Sequence, residues 1–425
     1  MKKILVISYY WPPNSGSGVQ RWLKFSKFLP LFNWQPIIIT PSNPYSELSD
    51  SKLEKNISNN IQVVKYPIWE PYSLKDKIFG KRDQSQNSGL ISNDDSLKNN
   101  IFKWVRGNLF IPDPKKYWIE PTVKSLLKKI KEENIEYIVS TGPPHSMHLI
   151  ALEIKKKINN IKWIADFRDP WSKLDLLDDF NLSKNSRSKH ERLELEVLSN
   201  ADVTLTVSES WAKDFLQLGA KNVKLITNGY DSEDFNDFKS KENNKFIIGH
   251  YGILNHLRNP SNLWFTLNQI CSENSDFNSL LEIHLSGNID KIIIDEINSF
   301  AFLKNKLKLL GYLDHENVID AYASSSLLLL LLFNSESGKG NYPGKLFEYL
   351  ATRKPILAFG PASSDVKVLL DQGYGLYHDF NISNNILENS ILGFFNKTIN
   401  LKTVEDQKYS RKHLTSDLVN LLNDL

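Results

Sequence analysis

Short apolar runs alternate with longer segments of helical periodicity along almost the whole chain, and this alternation limits the folds open to it. Residues 4–8 and 36–40 have the length and composition of strands, while Val19 and Trp22 recur at helical spacing between them. Strands that alternate with helices predict a parallel sheet with helices on both faces. The longest apolar run, residues 327–333, is too short to span a bilayer and is typical of a strand buried on both faces.

The alternation pauses once, at the stretch ITNGYDSEDFNDFKSKENNK, residues 226–245, and then resumes. We therefore predict two α/β domains, each a doubly wound parallel sheet, over residues 1–228 and 229–403. A stretch rich in Ser, Asn and Asp, residues 83–100, predicts a mobile polar insertion in the first domain. Leucines at helical spacing within residues 404–425 predict a final helix.

Charge and cysteine content narrow the classes of function. The 52 Lys and Arg residues nearly balance the 49 Asp and Glu residues, which argues against a nucleic-acid-binding protein. Cys271 is the single cysteine, so a disulfide framework is excluded and a reducing compartment is favoured. The N-terminal MKKILVISYYWPP lacks a small-residue cleavage site, so we expect a cytoplasmic protein without a signal peptide.

The loop YYWPPNSGSG follows the first predicted strand and precedes a helix. Gly16 and Gly18, on either side of Ser17, allow close backbone approach, and the start of the helix offers N–H groups to an anion, so these three residues are predicted to form an acceptor or phosphate loop. The loop matches neither a GxGxxG dinucleotide fingerprint nor a GK[ST] phosphate loop, and a plain tight turn is the alternative interpretation.

Two further motifs follow strands in the first half. In STGPPHSMHL, His145 is placed to meet a phosphate or hydroxyl group, whereas His148 fits a helix face; HExxH is absent and no metal site is predicted. In WIADFRDPWS, Asp166 and Asp169 flank Arg168 at the end of a buried strand. Either an Arg–Asp pair fixes this loop, or the carboxylates accept hydrogen bonds from sugar hydroxyls.

The most informative stretch is GKGNYPGKLFEYLATRKPILAFGP in the second half. Its glycine-rich loop leads through Gly344 into a helix whose N-terminus is suited to a diphosphate, with Lys345 beside it. Glu348 lies one turn into the helix, where a carboxylate accepts two hydrogen bonds from a ribose. Earlier, GHYGILNHLRNP places Arg258 after a strand, and arginine suits a diphosphate; an exposed loop arginine is the alternative.

A segment of mixed basic and aromatic residues, 102–118, follows the polar insertion. Either it is a helical flap that packs its aromatic side chains inward, or it presents a surface to anionic lipid or to a lipid-linked substrate.

Taken in order, these motifs resemble the retaining, nucleotide-sugar-dependent glycosyltransferases of the GT-B fold, in the family 4 group of bacterial surface-polysaccharide enzymes. The resemblance spans nearly the whole chain. It rests on YYWPPNSGSGVQRW, PPHSMHLIAL, IADFRDPW, VTLTVSESWAKDF, VKLITNGYDSEDF, GYLDHENVIDAYASSSLLLLL and PGKLFEYLATRKPILA.

The resemblance implies an acceptor-binding domain, 1–228, facing a nucleotide-sugar-binding domain, 229–403, across a cleft, with the helix of residues 404–425 returning to the first domain. It implies a donor site of five residues: Arg258, Gly344, Lys345, Leu346 and Glu348. Three positions depart from the family: Gly340 stands where a first glutamate is usual, Ile253 where an arginine is usual, and Arg168 where a histidine is usual.

The implied activity is transfer of a sugar, with retention, from a UDP- or GDP-sugar to a hydroxyl of a glycan or lipid-linked acceptor. It implies no cofactor and no metal, and a cytoplasmic enzyme, peripheral on the inner face of the plasma membrane where 102–118 contacts lipid. The residues closest to the reaction are expected to be Asp166, Arg168, Asp169 and Arg258. Two alternatives stay open: a sugar-nucleotide 2-epimerase of the same fold, and a non-catalytic sugar-nucleotide-binding subunit.

Overall fold

The computed structural model describes residues 1–14, 17–45, 50, 53–54, 57–58, 60–71, 97–405 and 407–425. The chain divides into two units, Met1–Asn228 with Arg411–Leu425, and Gly229–Ser410. Most of the predicted insertion, residues 83–96, lies outside the described residues. A helix begins at Leu97, inside the predicted bounds of 83–100.

Among its described residues, the first unit has a parallel sheet of seven strands in the order β3-β2-β1-β4-β5-β6-β7. The strands are β1 (Lys2–Ile7), β2 (Trp34–Pro41), β3 (Gln62–Tyr66), β4 (Tyr137–Gly142), β5 (Lys162–Phe167), β6 (Val203–Thr206) and β7 (Val223–Leu225). The helices are α1 (Ser17–Phe28), α2 (Leu97–Leu109), α3 (Ile119–Glu133), α4 (Ser146–Lys157), α5 (Lys184–Asn200) and α6 (Glu209–Gln217).

The described residues of the second unit form a parallel sheet of six strands in the order β10-β9-β8-β11-β12-β13. These strands are β8 (Phe246–Tyr251), β9 (Leu281–Ser286), β10 (Leu307–Gly311), β11 (Leu327–Leu331), β12 (Ile356–Gly360) and β13 (Leu376–Asp379). The helices are α7 (Ser261–Glu273), α8 (Ser275–Leu280), α9 (Lys291–Ser299), α10 (His315–Ser324), α11 (Gly344–Thr352), α12 (Asp365–Leu370) and α13 (Asn384–Phe395). The predicted fold class, two doubly wound parallel sheets, is confirmed.

The central strands are apolar on both faces because helices cover both sides of each sheet. Every residue of β11 is buried, as the uninterrupted leucine run predicts. The strand ends at Leu331, and the last residue of the run, Phe333, already lies in the loop that follows. Burial on both faces explains why these strands lack the apolar–polar alternation of a half-exposed sheet.

Each sheet reverses its chain order beside a central strand. In the first sheet β1 pairs with both β2 and β4, and in the second β8 pairs with both β9 and β11. At such a switch point the loops that leave neighbouring strands diverge, and doubly wound folds bind ligands at the carboxyl ends there. The predicted motifs follow β1 and β4 in the first unit, and β8 and β11 in the second, while WIADFRDPWS lies at the end of β5, the next strand beyond β4.

The last helix, α14 (Arg411–Asn423), belongs to the first unit. Leu418 and Leu422 lie in one apolar core with Trp22 and Val19 of α1, which confirms the expected return of the final helix. The helix begins later than the predicted start at 404, and residues up to Ser410 group with the second unit. Within the described part of the chain, no helix is both long enough and apolar enough to span a bilayer.

Candidate active site

The start of α11 faces open space at the switch point of the second sheet. A β-carbon at Gly344 would meet no atom within 4 Å. The first amides of a helix, here those of Gly344 and Lys345, have no acceptor within the helix, and they coincide with the positive end of its dipole. The local geometry therefore attracts an anion at the position where the sequence predicts a diphosphate.

Lys345, whose amine can take up a proton to become an ammonium, lies at the same N-terminus of α11. The residue is only partly buried, but its Nζ is shielded from solvent and has no hydrogen-bond partner among the described residues. A β-carbon at Gly252, where φ is 146°, would collide with this nitrogen, so the glycine makes room for it. Burial, with a smaller effect of the Arg258 charge and an opposing effect of Glu348, lowers the pKa of Lys345 to about 7.

Arg258 lies in a short 3-10 turn, His256–Arg258, in the loop that follows β8. Its guanidinium carbon stands 3.8 Å from the centre of the Phe333 ring, which follows β11. This cation–π contact joins the loops that leave the two central strands. It holds Arg258 close enough to Lys345 for the two charges to repel each other.

Glu348 is fixed by two side chains of α10. Tyr322 Oη donates a 2.8 Å hydrogen bond to Oε2, and His315 Nε2 lies 3.4 Å from Oε1. The carboxylate side chain keeps 23% of its surface exposed, and each oxygen has the capacity to accept more than one hydrogen bond. Burial and the neighbouring carboxylate raise the pKa of Tyr322, so its phenol stays a neutral donor.

The other predicted donor positions differ in what they offer. Leu346 is fully buried in the core, and its amide donates to Pro343 O at 3.0 Å, so neither its side chain nor its amide is placed for a donor. Gly340 is buried, whereas Glu336 in the same loop points outward and pairs with Lys339. Ile253 O lies 3.4 Å from His250 Nε2, which shapes the loop before Arg258.

In the first unit, Arg168 from the loop after β5 lies beside Gly18 in the first turn of α1. A β-carbon at Gly18 would lie 2.9 Å from Arg168 Nη1, so the glycine admits the guanidinium beside the start of α1. Arg168 Nε donates to Gly142 O at 3.2 Å, and Nη2 donates to Pro143 O. Gly16 lies outside the described residues, and for Ser17 only the backbone at the start of α1 is described.

Asp166 is fully buried, and four groups donate to its carboxylate. These donors are Arg21 Nε and Nη2 at 3.1–3.2 Å, Trp22 Nε1 at 2.7 Å and Thr141 Oγ1 at 2.9 Å. Burial by itself raises the pKa of Asp166, but Arg21 and the Trp22 hydrogen bond outweigh it, and the net pKa is lowered. This carboxylate holds strand β5 to helix α1, the geometry of a positioning residue and not of a substrate contact.

Asp169 is half-buried next to Arg168, and its charge opposes the lowering of the Arg168 pKa by burial. His145, 7% exposed, stacks on Trp171 with ring centres 4.7 Å apart. His148 is fully buried, with Nδ1 2.8 Å from Ser140 Oγ. Burial lowers the pKa of His145 well below the usual range and that of His148 to about 3, so both rings are neutral near pH 7.

Sequence reasoning missed Arg21 and Tyr322. Arg21 also donates to Ile226 O and Thr227 O at 2.9 Å, which ties the end of the first unit to α1. A signal was present, because Arg21 sits on an apolar helix face between Val19 and Trp22, where an arginine needs a buried partner. The sequence around Tyr322 did not indicate a functional role, because a tyrosine on a helix is equally common as part of a hydrophobic core.

Some side chains of the segment 102–118 are buried in the protein, and others are exposed to solvent. Trp118 is fully buried, and Lys115 is buried with Nζ 2.9 Å from Glu70 Oε1. Trp104 and Tyr117 are 46% and 43% exposed. The description as one basic-aromatic surface is therefore wrong for Trp118 and Lys115, while Trp104 and Tyr117 remain outside.

The predicted catalytic residues fall into two groups. Asp166, Arg168 and Asp169 belong to the first unit, whereas Arg258 belongs to the second, with Lys345 and Glu348. In the described part of the chain, no group of three or more His, Cys, Asp or Glu side chains is arranged to hold a metal ion.

No protein-family model and no curated protein matches this chain. Solved structures of similar fold include sucrose-phosphate synthase from Thermosynechococcus elongatus, with a TM-score of 0.63 and 13% identity over 100% of this chain and 99% of that one. A glycosyltransferase from Rickettsia africae has a TM-score of 0.59 and 14% identity over 99% and 93%. A Listeria monocytogenes protein, proposed to be a UDP-N-acetylglucosamine 2-epimerase, has a TM-score of 0.52 and 10% identity over 100% and 96%. At these identities the likeness establishes the fold, the two-domain GT-B architecture.

Proposed function

We propose that this chain is a glycosyltransferase that moves a sugar from a nucleotide-sugar donor to a hydroxyl group with retention. The proposal rests on one observation: Arg258, Lys345 and the N-terminus of α11 meet at the switch point of the second sheet, with Glu348 one turn further along. A permanent cation, an amine that becomes an ammonium beside an anion, and helix amides without intrahelical acceptors, all next to a fixed carboxylate, suit a nucleoside diphosphate.

The second unit would bind the donor. Arg258, Lys345 and the first amides of α11 would hold the diphosphate, and their positive charge would stabilise it as it leaves. Glu348 would accept hydrogen bonds from the two ribose hydroxyls of a UDP- or GDP-sugar. These groups supply the charge neutralisation for which other transferases use a metal ion, and we propose a metal-independent reaction without a cofactor.

The first unit would bind the acceptor. In the reaction, the bond between the anomeric carbon and the diphosphate oxygen breaks, and the acceptor oxygen bonds to the same face of that carbon. The acceptor proton passes to the departing diphosphate, so the protein need not supply a base. Arg168 and Asp169 would contact the reacting groups, and Gly18 and His145 would line the acceptor side. Asp166 would position strand β5, which leads directly into Arg168 and Asp169.

The acceptor class proposed here is a glycan or lipid-linked hydroxyl in bacterial surface-polysaccharide synthesis, used by an enzyme at the inner face of the plasma membrane. This proposal is supported by the exposed aromatic residues of 102–118. Trp69 and Tyr117 pack edge to face with ring centres 4.8 Å apart, and both are more than two-fifths exposed. Aromatic side chains that expose a polar edge to water and an apolar face to lipid are typical of membrane interfaces.

The test is an activity panel with the full chain. UDP- and GDP-sugars are incubated with and without lipid-linked acceptors, in chelator and in added Mg²⁺, and released nucleoside diphosphate is measured. We expect release that depends on acceptor and is unaffected by the chelator, and a product with the donor's anomeric configuration by NMR. Arg258→Ala and Arg168→Lys should abolish or strongly reduce turnover, whereas Lys291→Ala and Arg192→Lys, both exposed, serve as controls.

The same panel separates the alternatives. Change of the sugar's configuration at C2 without acceptor would indicate a 2-epimerase, a possibility favoured by the fold likeness to the Listeria protein. Tight nucleotide binding with neither release nor epimerisation, whatever the acceptor, would indicate a binding subunit. Either result would overturn the transferase proposal.

A further inference from the structure

We propose that the second unit takes up a proton at Lys345 when a nucleoside diphosphate binds, so that the amine enters the complex as an ammonium ion. This inference rests on the proposed function, since it concerns the same diphosphate site. It goes further in naming the charge state of the free site and the proton as a co-ligand of the donor.

The first argument is the surroundings of the amine. Lys345 Nζ is shielded from solvent and lacks a hydrogen-bond partner among the described residues, although an ammonium has three donors to satisfy. An isolated ammonium in such a place loses its hydration without compensation. Above about pH 7 the neutral amine is therefore the favoured form in the free protein.

The second argument is the set of charges that face Lys345 from the neighbouring elements. Arg258, in the loop after β8, is a permanent cation and repels a second one. Glu348, on the same helix, favours the ammonium, but its oxygens already face Tyr322 and His315. His250 at the end of β8 is fully buried, and burial lowers its pKa well below the usual range, so it stays neutral.

The third argument is what a diphosphate changes. Its oxygens bring negative charge to the positive end of α11, compensate Arg258 and offer acceptors to Nζ. An ammonium paired with phosphate oxygens is strongly favoured over an amine in the same position. Since burial lowers the pKa of Lys345 to about 7 in the free protein, the proton must come from solvent when binding occurs above that pH.

The experiment is titration calorimetry of the full chain with UDP and with GDP, in pairs of buffers that differ in ionisation enthalpy. At about pH 8.5 the nucleotide's own phosphate is fully ionised, because its second pKa is about 6. We expect uptake of about one proton per bound nucleotide at about pH 8.5, and no uptake at about pH 6, where Lys345 is already protonated and a nucleotide that binds fully ionised releases its own proton. Over the same range the affinity should fall about tenfold per pH unit above 7.

Three variants make the assignment to Lys345 specific. Lys345→Arg keeps a permanent cation, so it should bind the nucleotide with no proton uptake at either pH. Lys345→Gln should bind at least about tenfold more weakly than wild type at about pH 6, again without uptake. His315→Gln should keep the uptake, because His315 faces Glu348 and not the lysine amine.

The outcomes separate this inference from the proposed function. Failure of both nucleotides to bind would contradict the proposed function itself. Binding by the wild type without proton uptake at about pH 8.5, or uptake that persists in Lys345→Arg, would overturn the inference and leave the diphosphate site standing. Circular dichroism of each variant establishes that it is folded before it is titrated.

Discussion

Tyr322 Oη donates a 2.8 Å hydrogen bond to Glu348 Oε2, and this bond fixes the carboxylate that we propose to bind the donor ribose. The phenol is almost fully buried on α10, so it approaches Glu348 from the core side. The bond therefore sets the direction of the carboxylate, each oxygen of which can accept more than one hydrogen bond.

Removal of this hydroxyl should weaken nucleotide binding without altering the diphosphate contacts. Tyr322→Phe loses one hydrogen bond to a charged group, a change of about 1.5–3 kcal/mol when fully expressed. We expect UDP or GDP affinity to fall by a factor of about ten, and pyrophosphate affinity to stay the same. Tyr349→Phe is the matched control, since Tyr349 is buried beside Tyr322, with ring centres 5.1 Å apart, and its hydroxyl does not bond to Glu348 among the described contacts. Equal losses in the two variants would contradict the assignment.

Asp166 should act on stability and not on donor binding. Asp166→Asn leaves Arg21 buried without its counter-ion, which costs about 3–5 kcal/mol. Every tryptophan except Trp264 lies in the first unit, so urea unfolding followed by tryptophan fluorescence reports on that unit. We expect a large loss of unfolding free energy with UDP or GDP affinity unchanged, and no loss in Asp179→Asn, an exposed control.

The same carboxylate predicts a pH dependence for the first unit. Its net pKa is lowered in the folded protein, so the unfolded chain binds more protons as the solution is acidified. Its contribution to stability is present above the ordinary carboxyl range and is lost as the pH falls through the folded pKa. The acid-induced loss of stability should therefore be shallower in Asp166→Asn than in the wild type. Parallel pH profiles would contradict this.

Lys345 should lower the free energy of unfolding of the second unit, although the same side chain is proposed to bind the diphosphate. Its folded pKa, about 7, is below that of the unfolded chain, so the unfolded chain binds the extra proton between about pH 7 and 10. Below that window both states carry the charge and its burial cost is fully present. Lys345→Met should therefore raise the unfolding free energy by at least about 1 kcal/mol at about pH 6, with a gain that shrinks toward about pH 10. Scanning calorimetry across pH measures this, and a gain independent of pH would contradict it.

The exposed part of 102–118 predicts salt-sensitive binding to anionic vesicles. Trp104→Ser with Lys103→Ala removes one exposed aromatic and one charge, and should lower the partition onto phosphatidylglycerol vesicles about tenfold at low salt. Leu216→Ser with Lys213→Ala makes the same kind of change on α6 and is the control, since both residues are exposed there. Equal recovery of both variants and wild type in the supernatant would exclude membrane contact through this segment.

The fold could be predicted from the sequence because strands buried on both faces leave a strong pattern. The leucine run of β11 and the glycine-to-helix transition at Gly344 each depend on a few neighbouring residues. Less regular segments have weaker sequence patterns. The short strand β7 and the edge strand β13 were not predicted, and the last helix was predicted to begin at residue 404, although it begins at Arg411.

The candidate site was predictable in its location but not in the contacts of its residues. The roles of Arg21, which neutralises Asp166, and of Tyr322, which holds Glu348, depend on side chains distant in sequence. No local periodicity encodes such pairs, because they form only when the sheet brings separate loops together. For the same reason the sequence left open whether the carboxylates beside Arg168 pair with an arginine or bind sugar hydroxyls, whereas in the structure four groups of the protein donate to the buried Asp166.

The central claim is that the second unit binds a nucleoside diphosphate through α11 and Glu348. The most direct test is calorimetric titration of UDP and of GDP into the wild type and two variants, Glu348→Gln and Glu316→Gln. Glu316 is an exposed carboxylate on the neighbouring α10 and provides the matched control. The account predicts that one of the two nucleotides binds the wild type, that Glu348→Gln lowers its affinity about tenfold or more, and that Glu316→Gln leaves it unchanged. Unchanged affinity in Glu348→Gln, or absence of binding by both nucleotides to the folded wild type, would contradict it.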